Sequence, residues 1–191
     1  MVEDILEAAV RVLRRDGARR FTTVRVADEA GVSVGSLYQY FPNKEALLFR
    51  LQADEWQDTG QLLRSILDDE QKAPLERLRH AVLVFFHSER EEAELRVALD
   101  DAGALFRDAP EARAQKALAS RSLRSFMRQV LPQASPRQRA FAADFIKTSM
   151  SAVAEKLTER RPGRAEVDAW AKASADMYCS FLASIGVAEA R

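Results

Sequence analysis

A single cysteine, Cys179, leaves no internal disulfide to form, which suits a reducing compartment. Net charge is absent too: 29 Lys and Arg balance 29 Asp and Glu. No global field therefore draws the chain to nucleic acid or membrane, and any such site must be a local patch. No apolar run reaches the roughly 18 residues of a spanning helix. The N-terminus, "MVEDILEAAV", is acidic and amphipathic, unlike the charged start and apolar core of a signal peptide. Only seven glycines and six prolines punctuate 191 residues. No stretch alternates with period two between turn residues, so strands are not expected. Zinc-ligand spacing, a phosphate-binding glycine loop and a G-x-S-x-G elbow are missing, so no metal, cofactor or catalytic centre is expected. These absences leave a cytoplasmic, all-α chain.

What is present is helix. Ala, Leu, Arg and Glu dominate, and all are good helix formers. Ile5, Leu6, Ala9, Val12 and Leu13 share one face of a first helix from Val2 to Asp16, stopped by Gly17. Thr23 is the expected N-cap of a short helix, "VRVADEA", ended by Gly31. Ser33 caps another from Val34 to Phe41, and Pro42 forbids its continuation. Asn43 caps a long helix from Lys44 to Asp69. Pro74 opens the next; "HSEREEAELRVALDDAG" is either a separate helix or its bent continuation, ended by Gly103. Further helices run from Pro110 to Leu131, from a capping box of Ser135, Pro136 and Gln138, and, after the turn "RRPG", from Ala165 to Ile185, closed by Gly186. The total is about nine helices. The break near Pro42 predicts an N-terminal three-helix unit, residues 1–43, and a helical body, residues 44–191.

Residues 31–44, "GVSVGSLYQYFPNK", carry the sharpest signal. Two short helices joined by "AGVS" match the helix-turn-helix pattern, with Gly31 at the turn position that needs positive φ. Val32 and Leu37 would plug a small core against Ile5, Ala9, Phe21 and Val26. The second helix must enter a major groove. Small residues at its start, Ser33, Gly35 and Ser36, let the backbone come close, and hydroxyls can bond bases or phosphates. Tyr38 can stack on or hydrogen-bond nucleic acid, and Tyr40 and Lys44 can reach phosphates.

The stretch "TTVRVADEAGVSVGSLYQYFPNKEALL", Thr22 to Leu48, closely resembles the DNA-binding signature of the TetR family of bacterial transcriptional regulators. It shares the Thr cap, the Ala-Gly-Val turn, the Leu-Tyr pair, the Tyr40–Phe41 pair and the Asn-Lys-Glu helix start. The resemblance implies phosphate clamps at Thr23, Tyr40 and Lys44. It implies base-facing candidates at Arg25, Ser33, Val34, Gly35, Ser36, Tyr38 and Gln39. Arg25 is the one fully charged reader among them and suits a bidentate contact to guanine. Arg11, Arg14, Arg15, Arg19 and Arg20 form a basic cluster nearby, either a solvated face or a phosphate approach.

One such module contacts too few base pairs to select a site, whereas paired modules on half-sites about 34 Å apart do. Phe141, Phe145, Thr148 and Ala152 line one face of the penultimate helix. Val167, Trp170, Ser174, Met177, Phe181 and Ile185 line the last helix. Two helices from each copy would make a four-helix homodimer interface; the alternative is packing within one protomer. The resemblance favours the dimer and a palindromic double-stranded operator.

The resemblance also implies a small-molecule effector among the middle helices. The candidate lining is Leu62, Ile66, Leu78, Val82, Phe85, Phe86, Leu105, Phe106, Leu123, Phe126 and Met127, each more readily explained as ordinary core. Few charges are placed to enter such a cavity, so an apolar or aromatic effector is expected, releasing a repressor from DNA. His80 and His87, seven apart on one helical face with Glu76 a turn before, make a metal site conceivable, but two turns is a long reach for shared ligation. Cys179 with the two histidines raises an enzyme reading, but its place beside the last apolar stripe indicates a structural thiol. A helical protein-binding adaptor with a silent helix-turn-helix is the competing reading.

Overall fold

The computed structural model describes residues 1–99 and 109–186. Among these it is all-helical, with eight α-helices, one 3-10 turn and no strand. The helices are α1 (Val2–Asp16), α2 (Thr23–Ala30), α3 (Val34–Tyr40), α4 (Lys44–Asp68), α5 (Pro74–Leu99), α6 (Pro110–Val130), α7 (Pro136–Thr158) and α8 (Arg164–Ile185). Of the two alternatives for the segment from His87, a separate helix or a continuation, the structure shows the continuation: α5 runs unbroken to Leu99. Gly103 lies outside the described residues.

The contacts divide the chain into two compact units, Met1–Gln57 with Glu91–Arg113, and Asp58–Arg90 with Ala114–Arg191. In the first unit, α1 buries Ile5, Ala8, Ala9, Val12 and Leu13 and ends at Gly17, φ 74°. These side chains share a core with Phe21, Val26, Leu37, Phe41, Leu47 and Leu48. Leu95 and Ala98 of α5 join the same core. Beside it, Gln52 donates to the buried Glu92 carboxylate at 2.8 Å.

Thr22, not the expected Thr23, caps α2: its hydroxyl accepts from the Arg25 amide at 3.3 Å. Thr23 is instead the first helical residue, with its side chain buried. Gly31 takes the left-handed conformation at φ 69°, ψ 28° and ends α2. Ser33 caps α3 by accepting from the Ser36 amide at 3.0 Å. Asn43 caps α4 by accepting from the Ala46 amide at 2.7 Å.

The second unit packs Ile66, Leu78, Val82, Phe86, Phe126, Met127, Ile146, Tyr178 and Leu182 into one cluster. Its α7 starts with the expected capping box of Ser135 and Gln138. Arg77, 3% exposed, donates to the Leu67 carbonyl at 2.6 Å and to Gln129 at 3.0 Å, and lies 5.3 Å from the Phe126 ring centre. A cation thus meets the negative C-terminal end of α4.

Candidate nucleic-acid interface

Leu37 is the fully buried residue of α3 and Val34 packs partly against the same core, which leaves the face of Tyr38, Gln39 and Tyr40 exposed. Tyr38 and Tyr40 are each 46% exposed, and Gly35 and Gln39 are exposed beside them. A Cβ at Gly35 would meet nothing nearer than the Ser33 hydroxyl at 3.8 Å. The glycine is therefore not demanded by packing within the protomer. It lets another surface approach the backbone.

The remaining sequence-predicted residues divide by what already holds them. The Ser33 and Ser36 hydroxyls lie 2.8 Å apart, and Ser33 also serves the cap. The Thr23 hydroxyl sits 3.0 Å from the Tyr38 phenol oxygen. Thr23 is 7% exposed, so its polar end reaches the surface through Tyr38. Val34 and Lys44 are partly buried, and Arg25 is exposed. Arg19 and Arg20 are exposed on the 3-10 turn between α1 and α2.

Electrostatics organise the α1–α2 corner. Arg25 Nη1 donates to Asp16 Oδ2 at 2.9 Å. Asp16 Oδ1 also accepts from Arg15 Nε at 3.1 Å. Arg15 Nη1 reaches Glu29 Oε2 at 2.6 Å, and Arg11 Nε reaches Glu29 Oε1 at 3.0 Å. Hydrogen bonds from Arg15 first and Arg25 second hold the Asp16 carboxyl below its ordinary range. Glu29 is lowered likewise, by Arg15 and then Arg11. Asp16 was not among the sequence candidates. Its signal was an acid in the last turn of α1, amid arginines.

Within the second unit, Ile66, Leu78, Val82, Phe86, Leu123, Phe126 and Met127 are buried in the main cluster, and Phe85 packs against it. Leu62 is 48% exposed. Leu105 and Phe106 lie outside the described residues. Phe141, Trp170 and Met177 are exposed at 61%, 42% and 47%, and Thr148 and Ala152 are exposed with them. Phe145 and Phe181 meet as tilted rings at 4.8 Å between centres, with Phe141 stacked on Phe145 and edge-on to Phe181. Ile185 is partly buried, while Val167 and Ser174 belong to the protomer's own core. His87 contacts Asp168 at 2.7 Å. Among the described residues, no cluster of three or more His, Cys, Asp or Glu could hold a metal ion. No described helix is long and apolar enough to cross a membrane.

Two family models match. One, described as bacterial regulatory proteins of the tetR family, covers residues 5–51. The other, described as a tetracyclin repressor-like C-terminal domain, covers residues 73–185. The nucleoid occlusion factor SlmA of Vibrio campbellii is 38% identical over 87 residues, 44% of each chain. The chain spans about half the length of the curated relatives it matches. A TetR-family transcriptional regulator from Mesorhizobium loti superposes with a TM-score of 0.67 at 18% identity, covering 94% of this chain and 95% of that one. The regulator FadR from Bacillus subtilis, solved in complex with stearoyl-CoA, gives 0.63 at 18% identity, covering 94% and 98%. At such identities these structures share the fold.

Proposed function

Because the chain belongs to the TetR family of bacterial DNA-binding transcriptional regulators, we propose that it is a ligand-responsive repressor. A small apolar or aromatic molecule releases it from its operator. The observation that carries the reading is the exposed face of α3: Tyr38, Gln39 and Tyr40 stand out from a helix anchored through Leu37. Residues 1–43 form the reading unit and 44–191 the regulatory and dimerisation body. Arg25, Ser33, Val34, Gly35, Ser36, Tyr38 and Gln39 face bases. Thr23, Tyr40 and Lys44 clamp phosphates, and the Thr23 hydroxyl also steadies the base-facing Tyr38 at 3.0 Å.

The protein acts in the cytoplasm as a homodimer on a palindromic operator. The exposed aromatic patch of α7 and α8 supports this, since a large solvent-facing apolar patch marks an interaction surface. The effector sits among the apolar side chains of the second unit. That FadR was solved with stearoyl-CoA supports an apolar ligand in this fold. Helix α4 begins in the first unit and ends in the second. Binding there therefore shifts the population between DNA-competent and incompetent states, provided the ligand prefers one of them.

The test is a titration against DNA from beside its own gene at two salt concentrations, with an unrelated fragment of equal length as control. Selective binding that weakens steeply with salt is expected, as is release by an apolar effector. Absence of binding even to a random-sequence library at low salt would overturn the reading. The relatives named nucleoid occlusion factor favour a second reading, a helical protein-binding adaptor, whose apolar interface would be insensitive to salt.

A further inference from the structure

Two residues at the α1–α2 corner each stand at the wrong end of their own helix. Asp16 is the last residue of α1, where the helix dipole disfavours an anion. Arg25 lies in the first turn of α2, where the dipole disfavours a cation. Each is tolerable because the other is there: Arg25 Nη1 donates to Asp16 Oδ2 at 2.9 Å. Local rules broken together mark places held for something other than the local element.

Stability alone does not account for the pair. Arg25 is 50% exposed on its side chain, and exposed ion pairs contribute little. Its cost in the proposed role is clear, since a carboxylate beside a DNA-facing cation repels phosphate. The two sides of the pair also differ. Asp16 is only 13% exposed and is steadied on its other side by Arg15. The acid is therefore the fixed partner and the arginine the held one. Arg25 Nε and Nη2 have no partner among the described residues, so an N–H pair remains for a bidentate acceptor.

We infer that Asp16 is a positioning residue for DNA readout. It orients the Arg25 guanidinium so that its free N–H edge meets a base, and it offsets the charge that would otherwise settle on phosphate. A residue that weakens general DNA affinity while sharpening one contact is a specificity device. The inference rests on Arg25 being a base reader.

Site selection from a randomised duplex library tests both claims separately, using the full-length protein and four variants. Arg25→Ala should lose preference at one base pair per half-site. Asp16→Ala should lose about tenfold discrimination at that same base pair. Its affinity for unrelated DNA should rise, with a log–log salt slope steeper by about one. Asp16→Glu should restore part of the preference. Glu29→Ala removes the same charge from the same network without touching Arg25, so it should raise unrelated-DNA affinity and leave that base pair alone. If Asp16→Ala keeps the wild-type preference and only melts earlier, or if Glu29→Ala relaxes the same base pair equally, the positioning role is overturned. If Arg25→Ala changes no position, the base-reader assignment itself falls.

Discussion

The Thr23 hydroxyl and the Tyr38 phenol oxygen lie 3.0 Å apart, so a buried side chain in the first turn of α2 holds an exposed ring on α3. The bond ties the two helices of the helix-turn-helix at the surface proposed to meet DNA. Net hydrogen bonds of this kind contribute about 0.5–1.5 kcal/mol. Thr23→Val and Tyr38→Phe should each weaken operator binding about three- to tenfold, and the double variant little more than either alone. A double-mutant cycle by fluorescence anisotropy decides it. Additive losses would mean that the two hydroxyls act independently.

Gly31 sits at φ 69° with nothing within 4 Å of an added Cβ. Gly31→Ala therefore meets no steric obstacle and isolates the backbone cost of the left-handed conformation, about 1–2 kcal/mol. The expected fall in Tm is about 2–8 °C for a chain of this size. Gly31→Asn should cost less, because Asn tolerates this conformation. Thermal unfolding by circular dichroism reads both, and an unchanged Tm for the alanine variant would show that the turn relaxes freely.

Phe141 is 61% exposed and Trp170 42% exposed, yet both sit on the aromatic and apolar faces of α7 and α8. Phe141→Asp with Trp170→Asp should convert the protein to monomer at micromolar concentration while leaving its helical content intact. Operator affinity should drop by about tenfold or more, since one module alone contacts too few base pairs. Sedimentation velocity reads the first effect. A wild-type protein that sediments as a monomer would end the dimer claim directly.

Asp16 and Glu29 both carry carboxyls lowered by arginine hydrogen bonds. A carboxyl whose folded value lies below its unfolded one stabilises fully above the unfolded range, near about pH 4, and loses that contribution as pH falls through the folded value. Wild type and a double Asp16→Ala, Glu29→Ala variant should therefore differ in urea midpoint by a constant amount above about pH 5. That difference should shrink below about pH 4. Midpoints at several pH values check it, and a difference that grew on acidification would reverse the sign of the argument.

Much of the architecture was legible because its punctuation is local. Gly17, Gly31, Pro42 and Gly186 stop or separate helices through their own backbone chemistry, and the Ser33, Asn43 and Ser135 caps bond amides three residues on. The adjacent threonines misled. Either can cap a helix, and burial of Thr23 against Tyr38 leaves the cap to Thr22. The run from His87 is compatible in sequence with a new helix or a continuation of α5, and only the structure decides for the continuation. Leu78, Val82 and Phe86 of α5 pack in one core, while Leu95 and Ala98 pack in the other. A helix buried in two cores need not keep one apolar stripe, so a change of pattern does not by itself tell a break from a continuation.

The sequence by itself determined where helices start and stop and which signature lies between Thr22 and Leu48, because those features depend on interactions within a few residues. The tertiary structure decided which polar groups meet. Asp16 and Arg25 are nine residues apart, and Thr23 and Tyr38 fifteen; their pairing depends on how α1, α2 and α3 cross around Val26 and Leu37. No local window encodes that crossing, because it follows from packing a shared core. It likewise separated Val167 and Ser174, buried in the protomer, from Trp170 and Met177, left at the surface of the same helix.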